Sequence, residues 1–225
     1  MPGAVRSNRI AGVGELRITE IFRSLQGEST RAGFPCSFVR LTGCTLRCVW
    51  CDTAYAFHGG RPMEEDDIVR EVESHGTRMV ELTGGEPLEQ DGVYPLASRL
   101  LDAGMEVLVE TGGHVPVDRL DPRAIAIVDV KAPGSGMVEF NFEENLSRLR
   151  PRDELKFVLA DRRDFDWAVD YVRSRELDAR RVVTFSPVWG SLDPADLAAW
   201  ILESGRVVRL GLQLHKLLWG DVAGR

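Results

Sequence analysis

The chain has 225 residues, with 28 Lys and Arg against 35 Asp and Glu, a formal charge of −7. That length suits one domain with a sizeable core, and the acidic balance repels a phosphate backbone, so nucleic acid is not an expected partner. No stretch of about 18 apolar residues is present to span a membrane, and the opening MPGAVRSNRIAGVGELR lacks an apolar signal-peptide core, which predicts a cytoplasmic protein.

In chain order, residues 1–14 read as a flexible N-terminal tail and 15–225 as a single domain. LRITEIF (16–22) alternates polar and apolar residues and is expected as an edge strand. The β-rich runs that follow are CSFVRL (36–41), RMVEL (78–82), MEVLVE (105–110), AIAIVDV (124–130), ELKFVLA (154–160), VVTF (182–185) and VVRLGLQL (207–214). Helical period appears between them. Residues 63–75 put Ile68, Val69 and Val72 on one face, with Gly76 as the stop. Residues 95–103 stop at Gly104, and 164–177 carry Phe165, Val169, Val172 and Leu177 near one stripe. Residues 194–203 begin at Pro194 after Asp193 as N-cap. Strands alternating with helices imply an α/β fold with a parallel sheet. About 210 ordered residues are few for a full eight-fold barrel, so a partial (β/α)6 barrel with helices outside is expected.

The polar, Gly-rich motifs all follow strands: Thr-Gly-Cys (42–44), Thr-Gly-Gly-Glu-Pro (83–87), Glu-Thr-Gly-Gly (110–113), Asp-Val-Lys-Ala-Pro (129–133), Ser-Pro-Val-Trp (186–189) and Gln-Leu-His-Lys (213–216). Strand carboxyl ends are where α/β sheets hold ligands. The first motif opens a C-x₃-C-x₂-C loop of Cys44, Cys48 and Cys51. Three clustered thiolates in a reducing compartment are metal ligands rather than disulfide partners. Three ligands can hold three irons of a [4Fe–4S] cube and leave the fourth open. The alternative is structural zinc with Cys36 or His58 as fourth ligand. Cys36 begins a strand well away from the loop and reads better as a small buried hydrophobe. A loop His such as His58 proves little.

C-x₃-C-x₂-C with Trp50 before the last cysteine resembles the signature of the radical S-adenosylmethionine (SAM) superfamily, and Gly84-Gly85-Glu86-Pro87 is similar to its second motif. The stretch EIFRSLQGESTRAGFPCSFVRLTGC, with Cys51-Asp52-Thr53, Thr83 to Pro87, Glu110-Thr111-Gly112, Asp129-Val130-Lys131 and Gln213-Leu214-His215, resembles the 7-carboxy-7-deazaguanine synthases. That resemblance implies a radical SAM barrel and a carbon–nitrogen lyase of 7-deazapurine (queuosine) biosynthesis. It implies conversion of 6-carboxy-5,6,7,8-tetrahydropterin to 7-carboxy-7-deazaguanine with loss of ammonia, SAM being regenerated. It implies substrate contacts at Leu25, Gln26, Gly27, Glu28, Arg40, Thr83 and His215. SAM contacts are implied at Trp50, Cys51, Asp52, Gly84, Gly85, Glu86, Glu110, Asp129, Val130, Lys131 and Ser186. It further implies a [4Fe–4S] cluster on Cys44, Cys48 and Cys51, Mg²⁺ on Thr53, an electron donor such as flavodoxin or ferredoxin, and a homodimer.

The residue chemistry agrees: Gln26 gives and accepts hydrogen bonds, Glu28 accepts from ring N–H groups, and Arg40 can clamp a carboxylate. Two departures stand out. Ser29 follows Glu28 where the family has Gly, which would be expected to alter the loop's dihedrals. The chain also continues past His215 through Trp219 and Asp221, where some relatives end, and Asp221 is a candidate stand-in for their terminal carboxylate. The competing readings are a glycyl-radical-enzyme activase and an electron-carrying or structural metal protein.

Overall fold

The computed structural model describes residues 15–224; the segment expected as a tail, 1–14, lies outside them. Nine strands form one sheet. They are β1 Glu15–Leu25, β2 Pro35–Leu41, β3 Arg61–Glu64, β4 Met79–Gly84, β5 Glu106–Thr111, β6 Ile125–Asp129, β7 Glu154–Leu159, β8 Val182–Pro187 and β9 Arg209–Leu210, in the order β3-β1-β2-β4-β5-β6-β7-β8-β9. From β2 to β9 every neighbouring pair is parallel, while β3, β1 and β2 pair antiparallel. The six long parallel strands, β2 and β4–β8, are the expected partial barrel.

The helices between them are α1 Glu65–Ser74, α2 Val93–Asp102, α3 Asn145–Arg148, α4 Arg162–Ser174, α5 Pro194–Ser204 and α6 Leu214–Trp219. Their ends follow local chemistry. Gly76 and Gly104 sit at positive φ just past α1 and α2, where a side chain would be strained. Asp161 caps α4 by accepting from Arg163 N at 2.9 Å and Asp164 N at 3.0 Å. Asp193 caps α5 through Ala195 N at 2.8 Å.

Strand alternation separates two layers. Outward residues such as Val39, Leu82, Val109, Val128, Phe157 and Phe185 join the helix faces in the main core. Phe157 sits edge-on to Phe185 at 5.4 Å and to Tyr171 of α4 at 5.8 Å, so Phe157→Ala should cost about 3–5 kcal/mol. Inward residues divide by height. Cys36, Phe38, Met79, Leu108, Ile125 and Ile127 make a smaller apolar cluster. Above it Arg40, Glu81, Thr83, Glu110, Asp129, Lys156 and Ser186 face an open cavity.

Two expectations are corrected. β1 is an edge strand only past Ile18, because Arg61–Glu64 pairs with Glu15–Ile18 on its outer side. The helix expected from residue 63 instead begins at Glu65, because Met63 and Glu64 belong to β3, and Glu65, Asp66 and Asp67 suit a helix N-terminus. The run 207–214 is not a long strand. It pairs with β8 only at Arg209 and Leu210, and Leu214 onward coils into α6. A Cβ on Gly211 would lie 2.4 Å from Thr184 and 2.5 Å from Ser186, so the chain crosses β8 closely there and leaves the sheet.

Candidate active site

A cavity of about 690 Å³ opens over the carboxyl ends of the parallel strands. The loop after β2 carries Cys44, Cys48 and Cys51, all free thiols, half-buried and lining this cavity. The loop is bolted to its neighbours through main chain. Gly43 N donates to Ala56 O at 2.8 Å, Val49 N to Ser135 O at 3.0 Å, and Cys51 N to Cys48 O at 3.2 Å. From the loop after β4, Glu86 N donates to Gly43 O at 2.7 Å and Gly85 N to Leu41 O at 3.1 Å. A Cβ on Gly85 would stand 2.0 Å from Gly43 O, so only glycine lets the two loops meet.

Burial first, then the Glu89 and Glu86 carboxylates, push the Cys44 thiol up to about 11. Metal coordination deprotonates a thiol outright, so loading a cluster here must release protons. The zinc alternative loses its fourth ligand. Cys36 is fully buried in the lower apolar cluster, and His58 is exposed and off the cavity wall. Among the described residues no three His, Cys, Asp or Glu side chains stand close enough for a single-ion site.

The opposite wall is built from the segment after β1. It runs along the inner face of the sheet with alternate residues turned inward. Gln26 Nε2 donates to a Glu81 carboxyl oxygen on β4, Glu28 meets Lys156 on β7, and Thr30 N donates to Glu154 Oε2 at 3.1 Å. Gly27 faces the other way: its carbonyl accepts from Leu214 N at 2.9 Å, and the His215 ring covers its Cα. Ser29, where the family has Gly, adopts a backbone conformation that favours glycine. Its φ is +59°, the left-handed region, and its Oγ accepts from Arg31 N at 3.1 Å.

Arg40 at the end of β2 donates from Nε to Glu20 Oε1 at 2.7 Å, and its guanidinium lies 5.8 Å from the Phe22 ring centre and 5.9 Å from that of Tyr55. Tyr55 Oη donates to the same Glu20 oxygen at 2.8 Å. With Nε occupied, the two terminal nitrogens are left for a ligand. Burial opposes charge on Glu28, but Lys156 and a hydrogen bond from Gln213 outweigh it and hold its carboxyl below the ordinary range. Burial, with the Glu110 charge behind it, holds Glu81 protonated well above that range. Burial keeps His215 below its usual value, so its ring is neutral near pH 7.

Asp129 Oδ2 accepts from Lys131 Nζ at 2.8 Å, while its Oδ1 is buried with no protein partner. A buried acceptor on a cavity wall fits a ligand's donor. Thr53 also lines the cavity, its Oγ1 3.7 Å from Cys51 Sγ.

Of the residues expected at the site, Leu25, Gln26, Gly27, Glu28, Arg40, Thr83 and His215 all line this cavity, as do Trp50, Asp52, Gly84, Gly85, Glu110, Asp129, Lys131 and Ser186. Glu86 and Val130 do not. The Glu86 carboxylate is fully buried and accepts from Leu88 N at 3.0 Å, Thr111 Oγ1 at 2.8 Å and Gly112 N at 2.8 Å, so it ties the second motif to β5. The Val130 side chain packs in the main core. Sequence reasoning passed over Glu81 and Lys156. Their signal was a charged residue at the inward register of an otherwise apolar strand run. Asp221, Val222, Ala223 and Gly224 also line the cavity, and Lys216 Nζ lies 2.8 Å from Asp52 and 3.3 Å from Asp221.

A partial parallel barrel with three cysteines on the loop after its first strand defines a radical SAM protein, and the Radical SAM superfamily profile matches residues 38–130. A 7-carboxy-7-deazaguanine synthase from Koribacter versatilis is 46% identical over 219 residues, covering 91% of this chain and 97% of that one. Another from Chlorobaculum tepidum is 47% identical, covering 92% and 96%. The crystal structure of QueE from Escherichia coli superposes with a TM-score of 0.70 at 26% identity, covering 89% of this chain and 95% of that one. The chain belongs to the 7-carboxy-7-deazaguanine synthase family.

Proposed function

We propose that the chain is a radical SAM lyase that converts 6-carboxy-5,6,7,8-tetrahydropterin to 7-carboxy-7-deazaguanine with loss of ammonia. The observation that carries this is spatial. Three free thiols line the same cavity as Gln26, Glu28, Arg40, Thr83 and His215. Cys44, Cys48 and Cys51 would hold a [4Fe–4S] cluster, whose chemistry when bound is one-electron cleavage of SAM to a carbon radical. Asp129, Lys131, Ser186 and the Gly84–Gly85 backbone line the wall where SAM would lie, and the unpartnered Asp129 Oδ1 supports a donor there; Glu110, expected on that wall, shares Lys156 with Glu28 and is assigned to the pterin side.

The protein's own part is to bind, orient and exclude water. Arg40 offers its terminal nitrogens to the substrate carboxylate, held in aim by Glu20 and Tyr55. Glu28 and Glu110 present acceptors to ring N–H groups, and neutral His215 offers a hydrogen-bonding ring. Asp221 and the residues after it line the same space. Thr53 would contribute a neutral hydroxyl to Mg²⁺, leaving that hard ion mostly to water and substrate oxygens. A flavodoxin- or ferredoxin-type electron donor, a homodimer and a cytoplasmic setting belong to the same reading. No helix among the described residues is long and apolar enough to cross a membrane.

The test is turnover. Reconstituted protein with SAM, a reductant and 6-carboxytetrahydropterin should give 7-carboxy-7-deazaguanine by mass, with SAM recovered. SAM cleavage with the pterin left unchanged would overturn the proposal.

A further inference from the structure

On the inner face of β7 one ammonium stands between two carboxylates drawn from distant parts of the chain. Lys156 Nζ donates to Glu28 Oε2 at 2.9 Å and to a carboxylate oxygen of Glu110 on β5. The Lys156 side chain is 9% exposed, against 18% for Glu28 and 22% for Glu110, so the cation lies behind and the carboxylates lie toward the cavity. From the α6 side Gln213 Nε2 donates to the other Glu28 oxygen at 3.1 Å. Both Glu28 oxygens are thereby pinned, and each keeps acceptor capacity toward the open space.

A carboxylate in such a place without a cation would take up a proton instead. A protonated carboxyl offers a hydrogen as well as lone pairs and no longer insists on a donor from its ligand. Glu81, on β4 beside the strand of Glu110 and not bonded to Lys156, shows the alternative: burial keeps it in its protonated form. Lys156 therefore decides which carboxyls of this wall are acceptors.

We infer that Lys156 is a positioning residue that holds Glu28 and Glu110 as a pair of acceptors turned to the cavity, and that this pair selects a planar ring edge carrying N–H donors over one presenting a carbonyl. The inference rests on the pterin reading above. It names the feature of the substrate, its amino-bearing edge, that the wall recognises. A site built to accept hydrogen bonds rejects an analogue that lacks the donor, because its own polar groups are left unpaired.

The experiment is an equilibrium titration of the reconstituted protein with two unreactive probes, 6-carboxypterin and 6-carboxylumazine, and separately with SAM. The lumazine carries a carbonyl where the pterin carries its amino group. The unaltered protein should prefer the pterin by about tenfold or more. Lys156→Met should bind SAM as before and lower the preference to within about threefold. Lys156→Arg should retain part of it, since the charge persists while the reach differs. If iron content and circular dichroism show that Lys156→Met fails to fold, Glu28→Gln carries the same expectation of a collapsed preference. Preference intact in Lys156→Met or Glu28→Gln overturns the inference. So does an equal loss of pterin, lumazine and SAM affinity in Lys156→Met, which is what a purely structural lysine would give. Failure of the unaltered protein to bind either probe overturns the pterin reading and this inference with it.

Discussion

The space that a side chain on residue 27 would fill is occupied by the imidazole of His215: a Cβ on Gly27 would lie 2.0 Å from His215 Nδ1. Residues separated by most of the chain therefore meet face to face, and the Gly27 carbonyl fastens the start of α6 beside them through Leu214 N at 2.9 Å. Gly27→Ala should displace the ring and misplace the pterin. Steady-state kinetics should show the pterin KM raised or kcat lowered by about 10–100-fold, with SAM affinity unchanged. Unaltered kinetics would mean that His215 has no part in binding.

Ser29 holds a left-handed backbone, φ +59°, without being glycine, and its Oγ recovers one hydrogen bond to Arg31 N. Ser29→Ala keeps the strain and loses the bond, whereas Ser29→Gly relieves the strain. Chemical denaturation should place the Ala variant about 1 kcal/mol below the Gly variant. The reverse order would argue against the left-handed turn.

Glu81 gives a pH signature. Its folded pKa is raised, so between about 4.5, where the unfolded chain ionises, and the higher folded value, unfolding releases a proton. The folded state holds more protons there, and stability must fall as pH rises through that window. Glu81→Gln mimics the protonated carboxyl and removes this slope. Thermal melts should show the Gln variant gaining on the unaltered protein as pH climbs from about 5 toward about 8. A constant difference across that range would mean that Glu81 is not held protonated.

Cys36 and the loop cysteines should separate cleanly. Cys36 is buried beside Phe38, Met79 and Leu108, away from the cavity, and Cys36→Ala should keep full iron while costing about 1 kcal/mol of stability. Cys44→Ala, Cys48→Ala and Cys51→Ala should each lose the cluster and all SAM cleavage. Iron analysis and visible absorption decide it, and iron loss from Cys36→Ala equal to theirs would sink the three-cysteine assignment.

What was legible in the residues was mostly local. Asp193-Pro194, Gly76 and Gly104 marked helix ends because capping acts within a turn. The strand-end motifs were legible because Gly and polar residues interrupt apolar runs. Arg61–Glu64 was not legible as a strand, since four residues on a sheet edge carry almost no period and exist only by pairing with β1. Val207 to Gln213 has strand composition, yet only two residues find β8 as partner. Glu86 and Val130 sit inside motifs whose neighbours face the cavity, and only alternation along the folded chain turns those two away. Lys156 was passed over because a lone lysine in ELKFVLA means nothing until Glu28 and Glu110 arrive from 128 and 46 residues away.

The central claim is that one cavity holds SAM on the cysteine side and a carboxylated pterin under Arg40. Equilibrium titration of both ligands against the unaltered protein and the Arg40→Ala and Arg40→Lys variants tests it most directly. Losing a charged hydrogen bond in a desolvated site costs about 2–5 kcal/mol, so Arg40→Ala should weaken pterin binding by roughly 30-fold or more. Arg40→Lys should recover only part, for want of the planar fork. SAM affinity should stay level in all three. Unchanged pterin affinity in Arg40→Ala, with the cluster intact, would contradict the account.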